Sequence, residues 1–327
     1  MSERVLCVDV DSVIPNLALM KLSAWHKSRG DEVALSRRGC PPLDWGGRAD
    51  RAYVSCVFSW NQEKARRMVS GCRTVHYGGQ GIRPGWSCLV GSIERTLPDY
   101  SLYGTDIAVG FCNRGCPRKC GFCSVPYTEG PVREDRYMAP WEWVPESFTK
   151  VLLLDNEMAD YPFEQQAEIY GWFRDTGRKW CQTQGYDLRF VAHDERLAPL
   201  LADYKPWDLA FGGRRVYCAW DYMANEPWVR RGIERLLAAG FRGPEITCYT
   251  IVGFNTTHAQ DLRRLEVLWG EYGVHPFIMP FDNRRDDPWI RAFARYVNRR
   301  IFKTVRWEDY DYGGFRAADH PVEGATA

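Results

Sequence analysis

The sequence predicts an α/β protein in two parts. A small doubly wound domain covers residues 1–100, an open barrel of six strand–helix units covers 101–285, and a C-terminal helix and tail occupy 286–327. Three observations predict this. Short apolar runs alternate with helix-period segments through the first eighty residues. Residues 80–104 then turn rich in Gly, Pro and Ser, as a linker does. From Thr105 a second strand–helix series begins, in six units of roughly 35 residues.

The elements follow in order. Val5–Val10 is a short apolar run ending in Asp9 and Asp11 and reads as a strand. Pro15 opens a segment with Leu17, Leu19, Met20, Leu22 and Trp25 near helical spacing, and Gly30 stops it. Glu32–Leu35 reads as a second strand, followed by a polar loop with Pro41, Pro42, Gly46 and Gly47. Ala52–Phe58 reads as a buried strand, Asn61–Val69 as a helix, and Thr74–Tyr77 as a strand ending in Gly78-Gly79. Strands separated by helices pair in parallel through crossovers, which gives a flavodoxin-like domain. In the second series the expected strands are Asp106–Phe111, Lys150–Leu154, Asp187–Ala192, Arg215–Trp220, Glu245–Val252 and Pro276–Pro280. Helices are expected at Phe163–Thr176, Asp194–Leu201, Glu226–Ala239, His258–Tyr272 and Pro288–Arg300. The units share a period but no sequence, and they make a partial (βα)6 version of the TIM barrel. Chemistry in such barrels sits at the C-terminal strand ends.

Composition narrows the class. Hydrophobic residues are 45% and charged residues 26%, an ordinary globular balance. The 43 basic and 42 acidic side chains nearly cancel, so nucleic acid, if bound, must be held by a local patch rather than by bulk charge. The start lacks the pattern of a signal peptide, and no run reaches about 18 apolar residues. A cytoplasmic protein without a membrane segment is expected, in which the 12 cysteines stay reduced and clustered ones read as metal ligands.

One cluster stands out, just after the first strand of the second series: Gly115-Cys116-Pro117-Arg118-Lys119-Cys120-Gly121-Phe122-Cys123. A loop this short can wrap three thiolates around one inorganic centre. Three ligands leave one iron of a 4Fe–4S cluster open, which is the mark of a catalytic rather than a structural site. The alternative is a zinc-stabilised binding module, with Cys112 as fourth ligand.

The motif resembles the cluster loop of the radical S-adenosylmethionine superfamily, with Phe122 before the third cysteine. The resemblance covers roughly residues 105–285. It implies that Cys116, Cys120 and Cys123 hold the cluster, and that S-adenosylmethionine chelates the fourth iron. It also implies that reduction cleaves the sulfonium to a 5′-deoxyadenosyl radical, which abstracts hydrogen from an unknown substrate. A flavodoxin, ferredoxin or reductase would supply the electron. At other strand ends it assigns Asp155 and Asn156 to the amino group of S-adenosylmethionine, although the family's two glycines are missing there. It sets Gly253 and Asn255 beside the adenine, Arg196 near the carboxylate, and Asp221 near the ribose or substrate. Helix capping or solvated charge is the alternative for each.

A doubly wound domain before such a barrel resembles the cobalamin-binding members, which carry out methyl transfer. Ser55 or Ser59 and Gly78-Gly79 are compatible with the nucleotide tail of cobalamin, but the expected axial histidine after Asp9 is absent. A purely structural domain is the alternative. Methylthiotransferases, or other enzymes modifying a nucleic-acid base, are a further alternative. They want three N-terminal cysteines in loops, whereas Cys7 and Cys56 lie within strands, and Cys40 and Cys72 lack the spacing. Pro15–Lys21, Arg114–Cys116, Leu154–Asn156 and Gly253–Thr257 also resemble uncharacterised radical S-adenosylmethionine proteins of bacteria and their phages. Finally, Arg291, Arg295 and Arg299 fall at successive i, i+4 positions, with Arg300, Lys303 and Arg306 behind. They form either a nucleic-acid patch or a solvated face balanced by Glu308, Asp309 and Asp311. Trp60, Trp141, Trp143 and Trp289 are scattered and read as core or lid residues.

Overall fold

Strand β1 (Arg4–Asp9) carries Val5, Leu6, Cys7 and Val8 with no exposed surface, so it must be covered on both faces. The computed structural model, which describes residues 2–37, 42–69, 71–82, 89–283 and 286–322, shows how. Even-numbered Leu6 and Val8 pack with Ala52, Val54, Ala65 and Met68, while Cys7 packs with Leu19 and Leu22 of helix α1 (Leu17–Lys27). Asn16 caps α1 by accepting the Leu19 N–H at 3.2 Å. Strands β2 (Glu32–Ser36), β3 (Ala49–Ser55) and β4 (Cys72–Gly78) complete a parallel sheet in the order β2-β1-β3-β4, with helix α2 (Gln62–Arg67) between β3 and β4. Strand β3 begins three residues earlier than the sequence suggests, because Ala49 pairs with Cys72 at the sheet's lower edge. Cys72 therefore belongs to β4, not to a loop, and Cys40 lies outside the described residues.

Two compact units divide the chain, 1–155 and 156–327. In the first, residues 89–104 pack on α1 as a ledge. They hold helix α3 (Gly91–Glu94), and Asp99 accepts the Ser23 hydroxyl at 2.6 Å and pairs with Lys27 at 2.7 Å. Positions 83–88 of the expected linker lie outside the described residues. Strand β5 (Ile107–Gly110), short helices α4 (Val125–Thr128) and α5 (Pro140–Trp143), and β6 (Lys150–Leu153) follow. β5 and β6 pair in parallel from Ile107↔Lys150 to Gly110↔Leu153.

The second unit holds α6 (Phe163–Asp175), β7 (Lys179–Gln182), β8 (Tyr186–Asp187), α7 (Leu188–His193), α8 (Leu197–Tyr204), β9 (Val216–Ala219), α9 (Glu226–Ala238), β10 (Ile246–Val252), α10 (His258–Leu265), β11 (His275–Pro280) and α11 (Pro288–Asn298). Hairpin strands β12 (Asp311–Tyr312) and β13 (Phe315–Arg316) follow. Strands β8 to β11 form a parallel sheet in sequence order. One expected strand is corrected. Leu188–His193 is a helix, because Asp187 accepts the Arg189 N–H at 3.0 Å and caps it, and a short apolar run fits a buried helix as well as a strand. Lys179–Gln182 forms a strand instead. α11 closes the unit, with Trp289, Phe293 and Tyr296 in one core with Trp307 and Tyr310. Buried Trp143 and Trp289 are core residues, and Trp60 and Trp141 are exposed. Across the described residues, no helix is long and apolar enough to cross a membrane.

Candidate functional site

The cysteine loop grows from the end of β5. Two backbone amides there, of Cys112 and Asn113, have no strand partner beyond Gly110. The fully buried Asp155 carboxylate, at the end of β6, accepts both, at 2.9 and 2.8 Å. Asp155, expected at the amino group of a ligand, clamps the loop's first residues and satisfies their buried amides. Burial and the Asp155 charge push the Cys112 thiol well above its ordinary range.

Beyond Asn113 the loop is held by charge. Arg114 lies over the Phe111 ring at 4.1 Å and donates to Glu94 at 2.9 Å and to Glu129 at 3.3 Å. The other Glu129 oxygen accepts the Gly115 N–H at 3.0 Å. Buried Lys21 pairs with the same Glu94 at 3.3 Å. Gly115 has φ +105°, and a Cβ there would lie 2.5 Å from the Pro131 carbonyl oxygen, so only glycine fits. Cys116 donates its N–H to Gly130 at 2.9 Å, and Met138 donates to Cys112 at 2.8 Å, which closes the 112–138 excursion on itself. Within this frame Cys116, Phe122, Cys120 and Cys123 are half-buried, and Cys123 donates its N–H to the Cys120 carbonyl at 3.0 Å. A cavity of about 380 Å³ beside the loop is lined by Lys21, Glu94, Asn113, Arg114 and Trp143. Lys21, Glu94 and Glu129 are the residues that sequence reasoning missed. Glu129 has only its charge near the cysteine stretch as a signal, and Lys21 and Glu94, far off in sequence, have none.

In the second unit, the ends of β9 and β10 carry a polar cluster. The buried Arg264 donates to the Trp220 carbonyl at 2.9 Å and to the Ile251 carbonyl at 2.7 Å, and pairs with buried Asp261. Thr256 donates its hydroxyl to Asp261 at 2.7 Å. Asp221 sits at the end of β9 and accepts the Ile251 N–H at 3.4 Å. Burial raises its carboxyl to about 6, against the lowering by that N–H and by Arg264, with nearby Asp187 raising it further. A carboxyl that titrates near neutrality at a C-terminal strand end is suited to proton transfer. Gly253 turns the chain at φ +77°, and Asn255 is exposed on the same turn. Asn156 is half-buried. Arg196 follows helix α7 rather than a strand, is largely exposed, and is forked onto Asp194 at 2.7 Å. It is therefore not at a strand end, since the expected strand is a helix.

At the first unit's sheet end, the expected cobalamin residues are engaged with the fold itself. The Ser55 hydroxyl is held by Asn16 at 2.8 Å, and Ser59 is exposed. Gly78 ends β4. Gly79 has φ +87°, and a Cβ there would lie 2.2 Å from the Cys56 carbonyl oxygen. Asp11 accepts the amides of Val57 and Phe58 at 2.7 and 3.1 Å. Ser55 and Asp11 are thus engaged with the fold itself, while Ser59 is exposed. In the arginine patch, Arg295 covers Tyr312 at 3.6 Å and Arg306 pairs with Glu308 at 3.4 Å. No protein-family model matches the chain, and no curated protein matches it.

Proposed function

We propose that this chain is a radical S-adenosylmethionine enzyme whose 4Fe–4S cluster is held by Cys116, Cys120 and Cys123. The observation that carries the reading is three half-buried thiols on one backbone-closed loop after a parallel strand, while the fourth thiol, Cys112, is fully buried. Such a donor set suits a cluster with one open iron better than a four-ligand zinc. A bound cluster supplies the electron for reductive cleavage of the sulfonium, the start of hydrogen abstraction from substrate. The protein's own groups do the rest. Arg114, Glu129 and Asp155 fix the loop, and Asp221 holds a proton close to neutral pH. In this reading residues 1–100 form a flavodoxin-like domain, 101–285 a partial (βα)6 barrel and 286–327 a closing tail. The parallel order β2-β1-β3-β4 and the sequential order β8 to β11 support it. The setting is cytoplasmic, with a flavodoxin or ferredoxin as donor. No step runs through cobalamin.

Anaerobic reconstitution with iron and sulfide tests the proposal. The expected result is a broad absorbance in the blue region, lost in Cys116→Ala, Cys120→Ala and Cys123→Ala and kept in Cys112→Ala. Addition of dithionite and S-adenosylmethionine should then yield 5′-deoxyadenosine. One zinc and no sulfide per chain would overturn the reading.

A further inference from the structure

The sheet of the second unit has one face turned away from the α11 core. Val252 and Ile278 turn toward α11 and its core. The alternating residues Tyr217, Thr247, Tyr249, His275, Phe277 and Met279 line one cavity of about 760 Å³. Strand register arranges them in layers. Tyr217, Thr247 and His275 are partners, then Ala219, Tyr249 and Phe277, then Ile251 and Met279.

The layers are graded in chemistry. Arg215 and Arg300 line the end nearest the strand N-termini, and Arg215 donates to Thr247 Oγ1 at 2.8 Å. His275 in that layer is only 8% exposed, and its Nδ1 has no hydrogen-bond partner. Its ring stacks on Trp269 at 5.5 Å. Burial, with Arg300, Lys303 and Arg215 nearby, lowers its pKa to about 4, so at neutral pH it is uncharged. Among the described lining residues the one carboxylate is Asp208, which accepts the Gly212 N–H at 2.9 Å. The far layers are apolar, and Phe277 and Met279 remain 43% and 47% exposed within a strand. A buried, unpartnered ring nitrogen among cations calls for an anion, and the exposed Phe277 ring, edge-on to Tyr249 at 5.8 Å, offers an aromatic surface to a planar group.

We propose that this cavity binds an aromatic organic phosphate, its phosphate on Arg215, Arg300 and the His275 imidazole, and its ring against Tyr249 and Phe277. From His275 to Met279 the strand advances ~13 Å, room for a ring and a phosphate together. The inference rests on the second unit alone and is independent of the cluster.

Isothermal titration of the full chain with the four ribonucleoside 5′-monophosphates, the matching nucleosides and inorganic phosphate tests it. At least one monophosphate should bind about tenfold or more tightly than its nucleoside and than phosphate. Arg300→Gln and Phe277→Ala, both at exposed positions, should each weaken it about tenfold. The bound anion raises the His275 pKa, so complex formation at pH 6 should take up protons, and less in His275→Gln, as read from two buffers of different ionisation enthalpy. Equal binding of nucleoside and nucleotide, binding of none, or indifference to both exposed substitutions would overturn the proposal.

Discussion

Asp221 offers a sharp test of how the second unit sets its electrostatics. Its carboxyl ordinarily titrates at 3.8 and is raised to about 6 in the fold, chiefly by burial. At ~1.36 kcal/mol per tenfold change in protonation, ionising it in the folded state costs ~3 kcal/mol, as an upper value. The sign follows from proton counting. Between pH 4 and 6 the folded chain binds more protons at this site than the unfolded chain, so stability falls as pH rises through that window. Asp221→Asn removes the charge and keeps an oxygen for the Ile251 N–H. The variant and wild type should melt together near pH 3.5 to 4. At pH 8 the variant should be the more stable, by up to ~3 kcal/mol or roughly 2–4 °C in Tm per kcal/mol. Thermal melts of both proteins across pH 4 to 8 give the difference curve directly. A variant less stable at pH 8, or a difference that does not change with pH, would show that Arg264 and Arg189 compensate the charge fully and that the raised value is wrong.

Four further outcomes are expected. Arg264→Met leaves buried Asp261 without its cation and frees two carbonyls, so it should destabilise by about 3–5 kcal/mol in chemical denaturation, and Asp261→Leu added to it should recover part of that loss. Gly115→Val cannot adopt φ +105° or clear Pro131, and limited proteolysis should cut its 115–131 segment faster than in wild type. Glu129→Gln weakens the hold on Arg114 and Gly115 by about 1–2 kcal/mol, and should lower iron content per chain after reconstitution while the melting curve moves little. Alkylation of chelator-treated protein at pH 8, mapped by peptide mass, should label half-buried Cys116, Cys120 and Cys123. It should spare Cys7 and Cys181, whose burial raises them to about 12, and also Cys112.

Most of the strands and helices were legible because period and punctuation agree. Leu17–Lys27 has its asparagine cap, helical apolar spacing and a glycine stop, and β10 and β11 are apolar runs bounded by turns. The misreading at Leu188–His193 has a physical cause. Six mostly apolar residues satisfy either period, and the deciding contact, the Asp187 side chain on the Arg189 N–H, forms only in the fold. Lys179–Gln182 was missed because Lys-Trp-Cys-Gln carries no β-branched residue and no alternation. The cysteine loop was legible as a spacing, but its scaffold was not. Lys21, Glu94, Arg114 and Glu129 span more than a hundred positions and meet only through tertiary structure.

The same distinction explains why cysteine count alone says little about chemistry in this chain. Cys112 and Cys116 are four residues apart, yet the fold treats them in opposite ways. Cys112 is turned into the interior, where the Asp155 carboxylate that accepts its own amide also disfavours a second negative charge on its sulfur. Cys116 lies past Gly115, whose left-handed turn reverses the chain out of that environment, into a stretch with Arg118 and Lys119 and no acid before Cys123. A thiolate is opposed on the Cys112 side of that turn, while Cys116 past it is half-buried. The turn in turn depends on Glu129, which holds the Gly115 amide and the Arg114 side chain together. Which sulfurs are accessible thus depends on a glycine and a carboxylate as well as on the cysteines, and a change at either should alter thiol exposure without touching a cysteine.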